Sequence, residues 1–178
     1  MKEELKRLLL RHAHKKLDRA VRLSSGAESS EYFDAKQITL FPERAVVFAR
    51  VILESLDLRG IDAVGGMSLG ADPVVSALTL VAYLEKGLNL PGFLVRREPK
   101  KHGLQKMAEG VELKKGMRVL IVDDVITQGS ATLAAIQAVE DAGAEVAQVC
   151  CLVDREEGGS RMLAQKYKFY AVFKKSEL

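Results

Sequence analysis

The stretch VLIVDDVITQGSATLAAI, residues 119–136, sets four apolar residues before two adjacent aspartates, then a short polar turn and an alanine-rich run. Val119, Leu120, Ile121 and Val122 read as a strand buried on both faces, as in a parallel sheet. Residues 130–142 read as a helix ended by Gly143. In parallel α/β sheets, ligands bind beyond the carboxyl ends of the strands, where Asp123 and Asp124 fall. The helix start that follows offers free N–H groups and the positive end of the helix dipole, a setting for phosphate. Gly129 lets the backbone approach closely, and Thr127, Ser130 and Thr132 add hydroxyl donors. Two carboxylates repel a phosphate, but they accept hydrogen bonds from a sugar diol or hold a hydrated cation. The local chemistry asks for a phosphate beside a diol, and a ribose 5-phosphate has both.

Outward from this stretch the chain keeps one rhythm. Strands are expected at 61–65, 93–96, 118–122, 146–153 and 169–173. Helices are expected at 72–86, with Asp72 as N-cap, Pro73 in the first turn and Gly87 as stop, and at 130–142 and 159–167. Strands alternating with helices predict an α/β fold with a mostly parallel sheet flanked by helices. Ahead of it, 3–21 reads as an amphipathic helix using Leu5, Leu8, Leu9 and Leu17. Residues 23–40 are polar and irregular, with a short β pair expected around 32–33 and 38–40. Pro42 opens another helix that runs to Gly60. These readings divide the chain into an N-terminal helix and hood segment, 1–42, and an α/β core, 43–178, in one structural unit. Residues 96–116 break the rhythm: they are long, polar and basic, and loops of this length inside a domain are usually functional or disordered.

Composition narrows the function classes. The 178 residues are 48% hydrophobic, enough for a real core, and carry a net charge of +3, too small to favour a nucleic-acid binder. No apolar run approaches the roughly 20 residues of a membrane-spanning helix, and the first residues do not read as a signal peptide. The only two cysteines, Cys150 and Cys151, are neighbours on an expected strand and so point to opposite faces. A disulfide between them is excluded on that reading, and a reducing cytoplasm is the expected compartment.

The segment VLIVDDVITQGSA resembles the phosphoribosyl-pyrophosphate (PRPP) binding motif of the type I phosphoribosyltransferases. That resemblance implies that Asp123 and Asp124 hold the ribose hydroxyls and that the turn after them holds the 5-phosphate. PRPP contacts would then run through Asp123, Asp124, Val125, Ile126, Thr127, Gln128, Gly129, Ser130 and Ala131. Gln128 departs from the family, which usually has a small residue there. It would crowd the phosphate if it pointed inward and change nothing if it pointed out.

Four further segments narrow the branch of the family. FLVRREPKKHGLQKMAEG resembles the mobile catalytic loop of the members that act on orotate, and implies Arg96, Arg97, Lys100 and His102 as pyrophosphate ligands. Of these, Arg97, Lys100 and His102 would be catalytic, because cations gathered around a leaving pyrophosphate stabilise its developing charge. In the family this loop reaches into the partner subunit's site, which implies a homodimer with shared active sites. VDREEGG, 153–159, resembles the orotate-side motif, giving Arg155 to the substrate carboxylate with Thr127 assisting; an arginine fork suits a carboxylate. GGMSLGADPVVSAL, 65–78, resembles the pyrophosphate-side loop, with a cis bond expected near Ser68 and Leu69. Some orotate enzymes carry a lysine where Gly70 stands, and some relatives carry one at the position of Ser24. LSSGAESSEYFDAKQITLFPE, 23–43, resembles the family's N-terminal stretch and places Tyr32 and Phe33 against the base.

The resemblance implies a pentosyltransferase that joins orotate to the ribose of PRPP with loss of pyrophosphate, a step of pyrimidine biosynthesis. It also implies Mg2+ held mainly by PRPP, with no direct protein ligand. The partners expected are orotate, PRPP and a second copy of the chain, with no nucleic acid and no membrane. Two alternatives stand beside this: an enzyme of the same fold acting on a purine base, and a non-catalytic PRPP sensor.

Overall fold

The computed structural model describes residues 1–22, 28–98 and 107–178. The chain runs α1 (Lys2–His12), β1 (His14–Arg22), β2 (Glu28–Phe33), α2 (Lys36–Thr39), α3 (Pro42–Ser55), β3 (Ala63–Met67), α4 (Ala71–Lys86) and β4 (Gly92–Val95). It continues β5 (Ala108–Gly110), β6 (Arg118–Ile126), α5 (Ser130–Asp141), β7 (Glu145–Asp154), α6 (Gly159–Ala164) and β8 (Phe169–Lys174). Six strands form one sheet in the order β5-β4-β3-β6-β7-β8. All neighbours are parallel except β4 and β5. The first two strands form a separate antiparallel hairpin.

The apolar strands feed two cores, one on each face of the sheet. Val64, Leu120, Val122, Cys150 and Leu152 pack toward Leu5, Leu9, Phe48, Ile52 and Leu78 of α1, α3 and α4. Ala63, Val119, Ile121, Val149 and Cys151 pack toward Ala135, Ile136 and Val139 of α5 and Leu163 of α6. Strand alternation thus sends the two cysteines to opposite faces, and both are buried. Each fully buried Leu, Ile or Phe contributes about 1.5–3 kcal/mol to the folded state. The helix ends follow local chemistry. Pro42 occupies the first turn of α3. Gly87 ends α4 in the left-handed region, with its N–H on the Tyr83 carbonyl and the Leu88 N–H on Ala82.

Several elements differ from the sequence expectation. The first helix stops at His12, and 14–22 forms a strand instead of more helix, because its backbone pairs with β2 from Lys15↔Tyr32 to Arg22↔Glu28. Tertiary pairing here overrides local propensity. Ile38 lies in the short helix α2, not in a strand, and is completely buried. The third helix ends at Ser55, before Gly60, and α6 ends at Ala164. Gly70 takes the N-cap of α4, so Asp72 lies inside its first turn, where it accepts the Ser68 hydroxyl at 3.0 Å. In the basic segment, 108–110 forms a strand on the edge of the sheet, whereas 99–106 lies outside the described residues. Among the described residues no helix is long and apolar enough to cross a membrane.

Candidate active site

Strand β6 does not end at its aspartates. Its pairing with β7 continues through Asp123↔Cys151 to Ile126↔Asp154, so the acids sit inside the last turns of the ladder. Strand periodicity turns them to opposite sides, and their partners differ accordingly. Asp123 is buried, accepting the Asp124 N–H at 2.9 Å and the Thr132 hydroxyl at 2.8 Å. Burial, reinforced by the neighbouring Asp124 charge, pushes its carboxyl up to about 7. Asp124 is half-buried; its Oδ1 accepts the Val125 N–H at 2.8 Å and its Oδ2 faces Lys36 Nζ at 3.3 Å.

The turn beyond is fixed at both ends. Gly129 adopts φ +78°, a left-handed conformation open to glycine, and caps α5 without a side-chain hydrogen bond. The first N–H groups of α5 therefore have no partner within the helix and present its positive end. The same turn is stitched to the loop after β7. The Arg155 N–H donates to the Ile126 carbonyl at 2.9 Å, and the Gly159 N–H to the Thr127 carbonyl at 3.0 Å. Gln128 is exposed and does not line the cavity, so its side chain does not crowd the turn.

A cavity of about 740 Å³ opens over these elements. Its floor carries Asp123, Asp124 and the stretch from Val125 to Thr132 without Gln128. One wall is the loop after β3, with Ser68, Leu69 and Gly70; the bond between Ser68 and Leu69 is cis. Gly70 lies so close to the acids that a Cβ there would sit 2.8 Å from Asp123 Oδ1 and 3.0 Å from Asp124 Oδ1. The opposite wall is the hairpin and α2, with Tyr32, Phe33, Asp34 and Lys36.

Arg155 joins the two halves. Its side chain is buried, and its Nε donates to Glu157 at 2.7 Å while Nη1 donates to the Glu31 carbonyl at 3.2 Å. Its guanidinium lies over the Phe33 ring at 5.7 Å. The same Phe33 ring is stacked by His14 at 4.6 Å with an interplanar angle of 7°. His14 is thus a half-buried strut behind an aromatic wall. Glu31 anchors the hairpin to the C-terminus, facing Lys175 at 2.8 Å and His14 at 3.5 Å. The hydrogen bond from Lys175 holds its carboxyl below the usual range.

The structure brings most, not all, of the sequence-selected residues together. Tyr32, Phe33, Arg97, Asp123, Asp124, Val125, Ile126, Thr127, Gly129, Ser130, Ala131 and Arg155 line one cavity. Arg96 does not; its guanidinium faces Glu109 at 3.5 Å. Lys100 and His102 lie outside the described residues, as does Ser24. Lys36 and Asp34 line the cavity without any local sequence pattern that marks them, although Lys36 follows Tyr32 by only four positions, and Thr132, read as a hydroxyl donor toward the ligand, donates to Asp123 instead.

Comparison with known proteins agrees with this geometry. The phosphoribosyl transferase domain family matches residues 27–176. An orotate phosphoribosyltransferase of Aquifex aeolicus is 40% identical over 179 residues, covering 99% of this chain and 97% of its own. A crystal structure of Mycobacterium tuberculosis orotate phosphoribosyltransferase with Fe(III) dicitrate superposes with a TM-score of 0.81 at 34% identity, covering 99% of this chain and 97% of that one. The same enzyme in complex with PRPP superposes at 0.77 and 32% identity, covering 99% and 97%. With both sequence and structure matched along nearly its whole length, the chain belongs to the phosphoribosyltransferase family and, within it, to the orotate phosphoribosyltransferases.

Proposed function

We propose that the cavity binds PRPP and orotate together and transfers the phosphoribosyl group to the orotate nitrogen, giving orotidine 5′-monophosphate and pyrophosphate in pyrimidine biosynthesis. The observation that carries this is one cavity with two kinds of anion site: a helix start beside paired aspartates, and a buried arginine that already holds a carboxylate. The 5-phosphate sits at the start of α5, among the N–H groups after Gly129 and the hydroxyls of Thr127 and Ser130. The ribose hydroxyls donate to the aspartate pair. The orotate carboxylate takes the Arg155 guanidinium in exchange with Glu157, whose carboxylate bond to Arg155 supports this reading. Thr127 assists, and Tyr32 and Phe33 flank the flat base.

Transfer then depends on placing the base nitrogen against C1 of the ribose, which develops positive charge as pyrophosphate departs. Arg97, Lys100 and His102 neutralise that leaving group, and Arg96 joins them by exchanging Glu109 for phosphate oxygens. Mg2+ fits this arrangement as a substrate-borne ion. The aspartate oxygens already have protein partners, which supports a role toward ribose hydroxyls or through water. When bound to PRPP, Mg2+ supplies charge neutralisation of the pyrophosphate oxygens.

A homodimer completes the proposal, with 1–42 serving as a hood over the 43–178 core and the catalytic loop reaching the partner's cavity. Leu80, Tyr83 and Leu84 form an exposed apolar row on α4 at helical spacing, as a face covered by a second copy would. The cytoplasm is the compartment proposed, consistent with two buried thiols left unpaired.

The test is to mix the protein with orotate, PRPP and Mg2+ and follow orotate absorbance, with hypoxanthine, adenine and uracil in parallel. Orotate consumption that needs both PRPP and Mg2+ is expected. Turnover of a purine instead would remove the roles given to Arg155 and Tyr32.

A further inference from the structure

We propose that Lys36 is a PRPP-binding cation that serves the pyrophosphate end of the substrate from the hood side of the cavity. The inference rests on the reading of the cavity as a PRPP site. Its starting point is the charge around the aspartate pair. Three carboxylates line the cavity, those of Asp34, Asp123 and Asp124, together with the cations Lys36, Arg97 and Arg155. Arg155 is engaged at the base side by Glu157 and the Glu31 carbonyl. Arg97 is exposed on the segment after β4. Lys36 is the described cation that stands directly at the acids, 3.3 Å from Asp124 Oδ2.

Gly70 explains why a cation should come from there. The backbone of 68–70 approaches both acids so closely that no side chain fits at Gly70 without displacing a carboxylate. Ser68, Leu69 and Gly70 of that wall carry no ammonium. From the opposite wall Lys36 meets the same carboxylate that Gly70 abuts, adding a cation to those proposed from the segment after β4.

The lysine is also placed for exchange. Its helix is fixed: Ile38 is fully buried, and Arg44 Nη1 donates to the Gln37 carbonyl at 2.8 Å. Its side chain is not fixed, being 46% exposed on a flexible four-carbon stem. An ammonium has three donors, and the described bond to Asp124 uses one. Once ribose hydroxyls share Asp124, Nζ can keep that carboxylate and turn its other donors to phosphate oxygens. A mere surface ion pair of this exposure would contribute little to stability, so a purely structural role and a binding role separate cleanly.

The experiment compares the parent with Lys36→Met and Lys36→Arg. PRPP, pyrophosphate and ribose 5-phosphate are each titrated into all three proteins by calorimetry. Lys36→Met should weaken both PRPP and pyrophosphate by about tenfold, the loss of one charge-assisted hydrogen bond. Ribose 5-phosphate should stay within about twofold, the thermal midpoint should not move, and Lys36→Arg should recover most of the pyrophosphate affinity, because the charge is kept. Unchanged pyrophosphate affinity in Lys36→Met would overturn the proposal. So would an equal loss for ribose 5-phosphate, which would confine Lys36 to orienting Asp124. Orotate turnover by the parent reports separately on the underlying reading: a parent inactive on orotate whose Lys36→Met variant still loses pyrophosphate keeps the lysine and removes the base assignment.

Discussion

The phosphate wall and the base wall of the cavity differ in how far apart in sequence their parts lie. The phosphate wall is nearly one continuous stretch, a buried strand, two acids, a glycine turn and a helix start, all within 119–132. The base wall is assembled over long separations: Arg155 meets the Glu31 carbonyl 124 residues away. The first is rigid because its backbone belongs to the central ladder. The second is held by side chains, a ring stack and a two-stranded hairpin, the kind of structure that depends on docking for its stability. Grip on the shared substrate PRPP and choice of base should therefore be separable by mutation.

The largest expected effect is on the phosphate wall. Replacing both acids, Asp123→Asn with Asp124→Asn, should weaken PRPP binding by roughly a hundredfold, as two hydrogen bonds to charged groups become neutral ones. Calorimetric titration with PRPP checks this. Little change would mean that the acids serve only the fold. Next, Gly129→Val forces a β-branched residue to φ +78° and should cost about 1–3 kcal/mol in urea unfolding, with PRPP affinity falling in step. A variant as stable as the parent would show that the turn relaxes freely and is less rigid than the comparison requires.

A smaller effect comes from pH. Asp123 titrates near 7 in the folded chain against an ordinary 3.8, because burial and Asp124 disfavour its charge. A raised carboxyl favours folding below about pH 4, and that contribution is lost as pH rises through about 7. The parent should lose stability relative to Asp123→Asn across this window. Parallel unfolding curves at pH 5 and pH 8 for both proteins test it, and an unchanged difference between them would contradict the burial argument.

The same contrast governs what could be read from the sequence. The parallel sheet, its flanking helices and the aspartate turn were legible because each is a local pattern: an apolar strand, a punctuating glycine, a helix start. The first strand of the hairpin was not. His14, Lys15 and Lys16 carry no alternation that marks a strand, and only pairing with 28–33 makes 14–22 one. Ile38 was misassigned because a single buried apolar residue beside aromatics fits a strand or one helical turn equally well. The Phe33–His14 stack and the Lys36–Asp124 pair left no local trace, since neither partner's neighbours point to the other. Arg96 is named only through the resemblance of its segment; consecutive residues leaving a strand face different ways, and its guanidinium faces Glu109 on the next strand rather than the cavity.

Arg155 is where the two walls meet, and it tests the central claim most directly. The measurement is the pair of constants for Arg155→Leu: KM for orotate and Kd for PRPP. The account predicts that orotate affinity falls by roughly a hundredfold, as expected for removing one partner of a buried charge pair, while PRPP binding stays close to the parent. Equal loss of both, or an orotate KM that does not move, would contradict the division of the cavity into a phosphate wall and a base wall.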